Sequence, residues 1–295
     1  MNLHDKRALV TGTSSGIGRL LALALARHGV RLAISARRSD PLEQLADEIA
    51  ASGAGRPAVL PADLSVKGKA AGLAARALSA LGEVDLLVNN AGVGIGGSQA
   101  VLGDDEMARA LFETNFWSPL ALTQALVPGM RARGSGVIVN VSSMAAVLPM
   151  PLSGHYGASK AALARATETL EMELRGSGIH VLHVLPGPVD TPMLAELKLV
   201  PGSEKVLART PRGDAQTLVR KILVAIRRKQ RTLVYPGPYA LMRHLPTISA
   251  WFSRRMMRDM DGSDPRRIQG GSAGDAVAIE ARRQFVQEHG TPPRS

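Results

Sequence analysis

Seven short apolar runs, most of them rich in Val, Ile and Leu, are spaced along the sequence at 8–11, 31–35, 57–60, 84–89, 136–141, 179–185 and 232–235. Most of them lack period-two alternation, which is the pattern of strands covered on both faces. Between them lie helical patterns at 17–28, 41–51, 67–80, 105–131, 156–175 and 214–229. Strand and helix in strict turn leave few solutions. Crossovers must be right-handed, and the expected fold is α/β, a doubly wound parallel sheet flanked by helices. Punctuation agrees: Asp40-Pro41 offers a cap and a first-turn proline, and Gly29 stops the first helix.

Composition narrows the function classes. Hydrophobic residues make up 45% of the 295, enough for a large core, so disorder is excluded as a global description. The chain has no cysteine, which removes disulfides, thiolate metal sites and cysteine nucleophiles, and a reducing compartment is the simpler expectation. No uninterrupted apolar run reaches the roughly 18 residues of a membrane span, and residues 1–7 carry no export signal. A cytoplasmic protein is expected. The net charge of +11 is not spread evenly: residues 1–204 hold 18 basic and 18 acidic residues, and residues 205–295 hold 18 and 7. The body is neutral and the C-terminal part is basic, so any electrostatic role belongs to that part. Nucleic-acid binding is not expected, because aromatic residues are only 3% and the charge lies off the body.

The first apolar run leads directly into Thr11-Gly12-Thr13-Ser14-Ser15-Gly16-Ile17-Gly18, and a helix follows. Glycines permit a tight turn and close approach, and a helix N-terminus offers unpaired N–H groups and partial positive charge to a pyrophosphate. The spacing is G-x-x-x-G-x-G. With four further motifs in order between about Lys6 and Tyr235, it resembles the compact branch of the short-chain dehydrogenase/reductase family. That resemblance implies a Rossmann-type fold and a nicotinamide cofactor cradled by Gly12, Thr13, Ser14, Ser15, Gly16, Ile17 and Gly18.

In that family an acidic residue at the end of the second strand holds the adenosine ribose of NAD. Here the strand ends Ser35-Ala36-Arg37-Arg38. With no carboxylate to repel it, a 2′-phosphate suits the forked cation of Arg37, with Arg38 beside it, and NADP(H) is expected over NAD(H). By the same resemblance Asp63 and Leu64 meet the adenine, while Asn90, Ala91 and Gly92 border the cofactor. Pro186, Gly187, Val189 and Thr191, in a stiff Pro-Gly-Pro turn, meet the nicotinamide end.

Carbonyl reduction needs a proton for the developing alkoxide. Tyr156 and Lys160 sit four apart, on one helical face. A phenol of pKa about 10 is a poor base at neutral pH, and a neighbouring ammonium and an oxidised nicotinamide would both favour its phenolate. Two serines, Ser142 and Ser143, end the fifth run. The family's serine precedes its tyrosine by 13, which selects Ser143 as the donor to the substrate oxygen. Asn115 matches the family's asparagine, which helps hold a proton-relay water. The implied catalytic set is Asn115, Ser143, Tyr156 and Lys160.

The expected pocket walls (Val93, Ala145, Met150, His155, Met193, Leu194, Leu197) are mostly apolar, and Ser143, Met150, His155 and Met193 are the expected substrate contacts. No metal site is expected. A small lipophilic carbonyl or alcohol fits best. The chain divides into a catalytic part at 1–237, an amphipathic helical segment at 238–262 and a basic tail at 263–295. Within the segment, Leu241, Leu245, Ile248, Phe252 and Met256 recur at helical spacing beside Arg254, Arg255 and Arg258, and Pro246 should split it in two. Such a stripe either covers the cleft or makes weak peripheral contact with a membrane. A short helix over 276–288 and a loose 290–295 are expected beyond it. Homo-oligomers are common in the family. The competing reading is a redox-silent sensor that binds cofactor on the same fold, but such a protein need not keep all four catalytic residues.

Overall fold

In the computed structural model, which describes residues 2–96, 99–197, 203–258 and 269–270, the apolar runs form a seven-stranded sheet. Its strands are β1 (Arg7–Thr11), β2 (Arg31–Ser35), β3 (Ala58–Val59), β4 (Leu86–Asn89), β5 (Gly136–Val141), β6 (Ile179–Pro186) and β7 (Thr232–Tyr235). They lie in the order β3-β2-β1-β4-β5-β6-β7, and every neighbouring pair is parallel. The order reverses between β1 and β4, so their carboxyl ends open a crevice, the place where open α/β sheets bind ligands.

The helices are α1 (Gly16–Arg27), α2 (Asp40–Ala51), α3 (Lys69–Leu81), α4 (106–132), α5 (Gly154–Glu173), α6 (Pro192–Leu197), α7 (Ser203–Ala208), α8 (Ala215–Arg227), α9 (Tyr239–His244) and α10 (Pro246–Met256), with a short extra turn at Gln99–Leu102. Alternate strand residues feed two cores. Ala8, Val10, Leu32, Ile34, Leu86 and Val88 pack with Leu21 and Leu25 of α1, Leu42 and Leu45 of α2, and Leu218 and Ile222 of α8. Leu9, Ala33 and Leu87 pack on the opposite face with Leu73 of α3 and Leu122 and Leu126 of α4. Each fully buried leucine contributes about 2 kcal/mol, so the two layers dominate the stability of the sheet. At the amino edge Arg7 clamps Asp85 through Nε (2.8 Å) and Nη2 (3.0 Å), fastening β1 beside the start of β4.

Three expectations change in detail. The third strand shrinks from 57–60 to two residues. The helix expected at 67–80 starts at Lys69, after Gly68 at a positive φ of 86°. The helix expected to run unbroken over 105–131 holds a π-helical stretch, Glu113–Trp117, between Glu106–Phe112 and Ser118–Ala132. Its start follows Asp105, whose carboxylate accepts from Ala108 N at 2.8 Å as a cap. Pro246 opens α10, two residues after α9 ends. Apart from 269–270, whose backbone pairs with 95–96, the tail over 263–295, including the helix expected at 276–288, lies outside the described residues.

Candidate active site

At the end of β1, Thr11 organises the crevice through one hydroxyl. Its Oγ1 donates to Val88 O and accepts from the N–H groups of Asn90 and Ala91, each at 3.1 Å. Asn90 returns the contact, its Nδ2 donating to Thr11 O at 3.0 Å and Gly12 O at 3.2 Å. Gly12 and Gly16 have φ of 70° and 57°, and a β-carbon on Gly18 would stand 2.2 Å from Gly12 O. The turn therefore needs glycine at all three positions, for backbone conformation at two and for space at the third. Ser15 precedes α1 without capping it, and the first turn carries no acidic side chain. The first-turn N–H groups of a helix have no intrahelical partner, so this uncapped end fits a pyrophosphate. Ser14 is half-buried and Ser15 exposed beside it, whereas Ile17 packs against the core. Thr13 is buried, its hydroxyl donating to Ser35 O at 3.3 Å.

Beyond β2, Ala36 O accepts from Ala62 N, and Arg37 and Arg38 are exposed. Asp63 Oδ1 accepts from Ser65 N and Oγ, closing a turn, and Leu64 is buried with its carbonyl accepting from Ser118 Oγ.

The catalytic candidates come together where β4, β5, α4 and α5 meet. Ser142 and Ser143 part company. Ser142 is buried and its Oγ donates to Lys160 O at 2.8 Å, tying strand to helix. Ser143 accepts from Ala145 N at 3.1 Å and hydrogen-bonds the Tyr156 phenol. Lys160 is buried, its Nζ donating to Val141 O at 3.1 Å and lying 5.9 Å from the Tyr156 ring centre. Burial pushes the Tyr156 phenol up, opposite to the direction expected from its lysine neighbour, and the Ser143 bond pulls it partly back. Burial also brings the Lys160 ammonium down to about 8.

Asn115 lies inside the π-helical stretch, wholly buried. It is held on both sides by Val93, accepting from Val93 N at Oδ1 and donating from Nδ2 to Val93 O, each at 2.9 Å. Its Nδ2 also donates to Ser159 Oγ at 3.0 Å, and Ser159 donates to Tyr156 O at 2.8 Å. Ser159 and Thr11 thus belong to the frame of the site, although the motifs assign a role to neither. The only local signal for Ser159 is a small polar residue one place before Lys160, on the buried side of a helix.

The loop after β6 is braced from both sides. Gly187 N donates to Tyr235 O at 2.7 Å, and the Tyr239 ring packs so close that a β-carbon on Gly187 would lie 2.7 Å from it. Val189, three residues beyond Pro186, is buried and bridges Gly213, and Thr191 Oγ1 donates to Val189 O. A β-carbon on Gly16 would lie 3.6 Å from Thr191, so this loop meets the start of α1. Among the expected pocket walls, Met150 is half-buried, Met193 is exposed and Leu194 is buried. His155 pairs through Nε2 with Gly103 O at 2.7 Å, and its Nδ1 is buried without a partner. The side chain of Leu197 lies outside the described residues. Among the described residues no cluster of His, Asp or Glu could hold a metal.

A doubly wound sheet with a glycine turn under an uncapped helix, beside a Ser–Tyr–Lys group, defines a dinucleotide-binding oxidoreductase. The short chain dehydrogenase family matches residues 6–200. The chain is 39% identical over 190 residues to a short chain dehydrogenase of Pseudocercospora fijiensis, covering 64% of this chain and 61% of that protein, less than two thirds of its length. It is 34% identical to the 11-beta-hydroxysteroid dehydrogenase-like 2 of Arabidopsis thaliana, over 75% of this chain and 71% of the relative. Among solved structures it resembles a short-chain dehydrogenase/reductase of Burkholderia phymatum in complex with NAD (26% identity, TM-score 0.74, 90% and 99% of the two chains). It also resembles a short-chain dehydrogenase of Sphingobium yanoikuyae in complex with NADPH (25% identity, TM-score 0.71, 98% of each chain). This chain belongs to the short-chain dehydrogenase/reductase family, and it is an oxidoreductase of the kind that binds NAD or NADP.

Proposed function

We propose that the protein is an NADP(H)-dependent oxidoreductase that interconverts a carbonyl and an alcohol on a small lipophilic substrate. The observation that carries this reading is the Ser143–Tyr156 hydrogen bond with Lys160 buried beneath it, at the carboxyl edge of β5. The nicotinamide supplies or takes the hydride. Every other task falls to the chain. Ser143, held by Ala145 N, orients the substrate oxygen and stabilises its charge. Tyr156 gives its phenolic proton to the alkoxide during reduction, and takes it back during oxidation. Lys160, charged below about pH 8, stabilises the phenolate left behind. Asn115 and Ser159 hold α4 and α5 at the spacing that reprotonation requires.

For NADP the support is Ala36 in place of an acid and the exposed arginines that follow it. Residues on the chain that would hold the cofactor are Gly12 to Gly18, Arg37 and Arg38, Asp63 and Leu64, Asn90 to Gly92, Pro186 to Thr191, Tyr156 and Lys160. For a lipophilic substrate the support is the apolar character of the expected wall residues Val93, Ala145, Met150 and Leu194, of which Ala145 and Met150 line one groove, together with the steroid dehydrogenase-like relative. Self-association is supported by large exposed apolar side chains, Trp117 on α4 and Met172 on α5.

The test is NADPH oxidation against a panel of aldehydes, ketosteroids, retinoids and 3-oxoacyl compounds, with NADH in parallel. Turnover of an apolar carbonyl with NADPH is expected, with loss of turnover and retention of NADPH binding in Tyr156→Phe. Full activity of Tyr156→Phe would remove the proton-donor role. No change in fluorescence on adding either dinucleotide would dispose of the sensor reading as well.

A further inference from the structure

The α9–α10 pair presents an outer face that nothing described covers. Leu241, Leu245, Ile248, Trp251 and Phe252 are 68, 39, 59, 62 and 38% exposed. On α10, residues 248, 251, 252 and 255 follow each other at helical spacing, so Arg255 ends the same stripe. Exposed apolar side chains that recur at the helical period, rather than singly, mark an interaction surface.

The inner face is committed to the body of the protein. Ser253 Oγ donates to Pro149 O at 2.6 Å, and Ser249 Oγ donates to Met242 O at 2.6 Å, joining α10 to α9. Tyr239 is buried against Gly187, in the loop at the nicotinamide end, and Arg243 pairs with Glu168 of α5. The pair of helices is therefore fastened to the loop after Ser143 and to the loop after β6, the two walls of the candidate cleft. Beside α10 runs a groove of about 710 Å³, lined by Leu148, Met150, Ala161, Met257 and the arginines 254 and 258.

Charge decides what the outer face meets. Arg243 is taken up by Glu168, and three further arginines, at 254, 255 and 258, stand on and beside α10, while residues 239–258 contain no acidic residue. Two copies meeting through this face would bring like charges together. An anionic lipid surface would complement it: the arginines match headgroup phosphates and carboxylates, and tryptophan sits well at a bilayer interface.

We infer that α9–α10 docks the protein on an anionic bilayer, with the stripe from Leu241 to Phe252 in the interface and Arg254, Arg255 and Arg258 on the headgroups. Among the described residues no helix is long and apolar enough to cross a membrane, so the contact is peripheral. Where the lipophilic-substrate reading also holds, the fastened helices set the mouth of the cleft against the source of substrate. The docking itself does not depend on that reading.

The full chain is sedimented, without cofactor or substrate, with phosphatidylcholine vesicles and with vesicles that also contain phosphatidylserine. Binding is expected to the second alone at low salt, and to weaken as salt rises. Ile248→Glu with Trp251→Glu should reduce it at least tenfold, while circular dichroism and the melting temperature stay unchanged, both side chains being on the surface. In a Trp117→Phe background Trp251 is the sole tryptophan, since the chain has two, and its emission should shift to the blue on the anionic vesicles. No sedimentation with anionic vesicles, or binding untouched by the double substitution, overturns the inference. So does concentration-dependent dimerisation abolished by that same pair, which would give the face to a second copy. The sedimentation is read without turnover, so its failure leaves the proposed reaction standing, and a failed activity panel leaves the docking standing.

Discussion

Gly92 and Lys160 leave no room between them: a β-carbon on Gly92 would stand 3.1 Å from Lys160 Nζ and 3.3 Å from Asn115 Oδ1. The glycine is needed for space, since its backbone is not in the left-handed region. Gly92→Ala must push the ammonium or the amide by a few tenths of an ångström. Small displacements at reacting groups are costly in rate, so kcat should fall roughly tenfold, beyond any loss of dinucleotide affinity. Steady-state kinetics beside fluorescence titration checks this, and an unchanged kcat would show that Lys160 tolerates the shift.

The ammonium of Lys160 is brought down to about 8 by burial. In the reductive direction the lysine must be charged to hold the phenolate that Tyr156 becomes. The rate should be flat below pH 8 and decline as pH rises through that region. Lys160→Met, which cannot be charged, should be slow throughout and lack that descending limb, so the two pH profiles together isolate the lysine.

His183, in the middle of β6, is buried with neither ring nitrogen partnered, and burial, with Arg243 nearby, holds its pKa at about 4 against an ordinary 6.5. The unfolded chain therefore binds the proton first as pH falls. Stability should decline from about pH 6.5 downward by about 1.4 kcal/mol per unit until the folded state is protonated too. Urea unfolding at pH 7 and pH 5 measures it. His183→Leu, with nothing to protonate, should show a smaller difference between the two pH values than the parent.

Asp85 accepts three hydrogen bonds from Arg7, two from the guanidinium and one from the backbone N–H. Burial alone would raise its pKa, and the Arg7 bonds more than reverse that, so the carboxyl lies below its ordinary value. Its stabilisation is present above the ordinary carboxylate range and lost as pH falls beneath it. Asp85→Asn should cost roughly 2 kcal/mol at neutral pH and flatten the acid side of the stability curve. Equal slopes for the two proteins below pH about 4 would refute the assignment.

Much of this was written locally in the chain. The order of strands and helices, the need for glycine at 12, 16 and 18, and the four-residue step from Tyr156 to Lys160 are properties of short spacing, because backbone periodicity and turn sterics act between near neighbours. The tertiary structure decided what depends on residues far apart. It set Ser142 against the Lys160 carbonyl and Ser143 against the phenol, although the two are adjacent and alike. It opened α4 into a π-helical stretch around Asn115, and brought in Ser159 and Thr11, whose partners lie 44 and 77 residues away. It also set desolvation of the Tyr156 phenol against the pull expected from its lysine neighbour, because desolvation depends on everything packed around a group and no spacing along the chain encodes it.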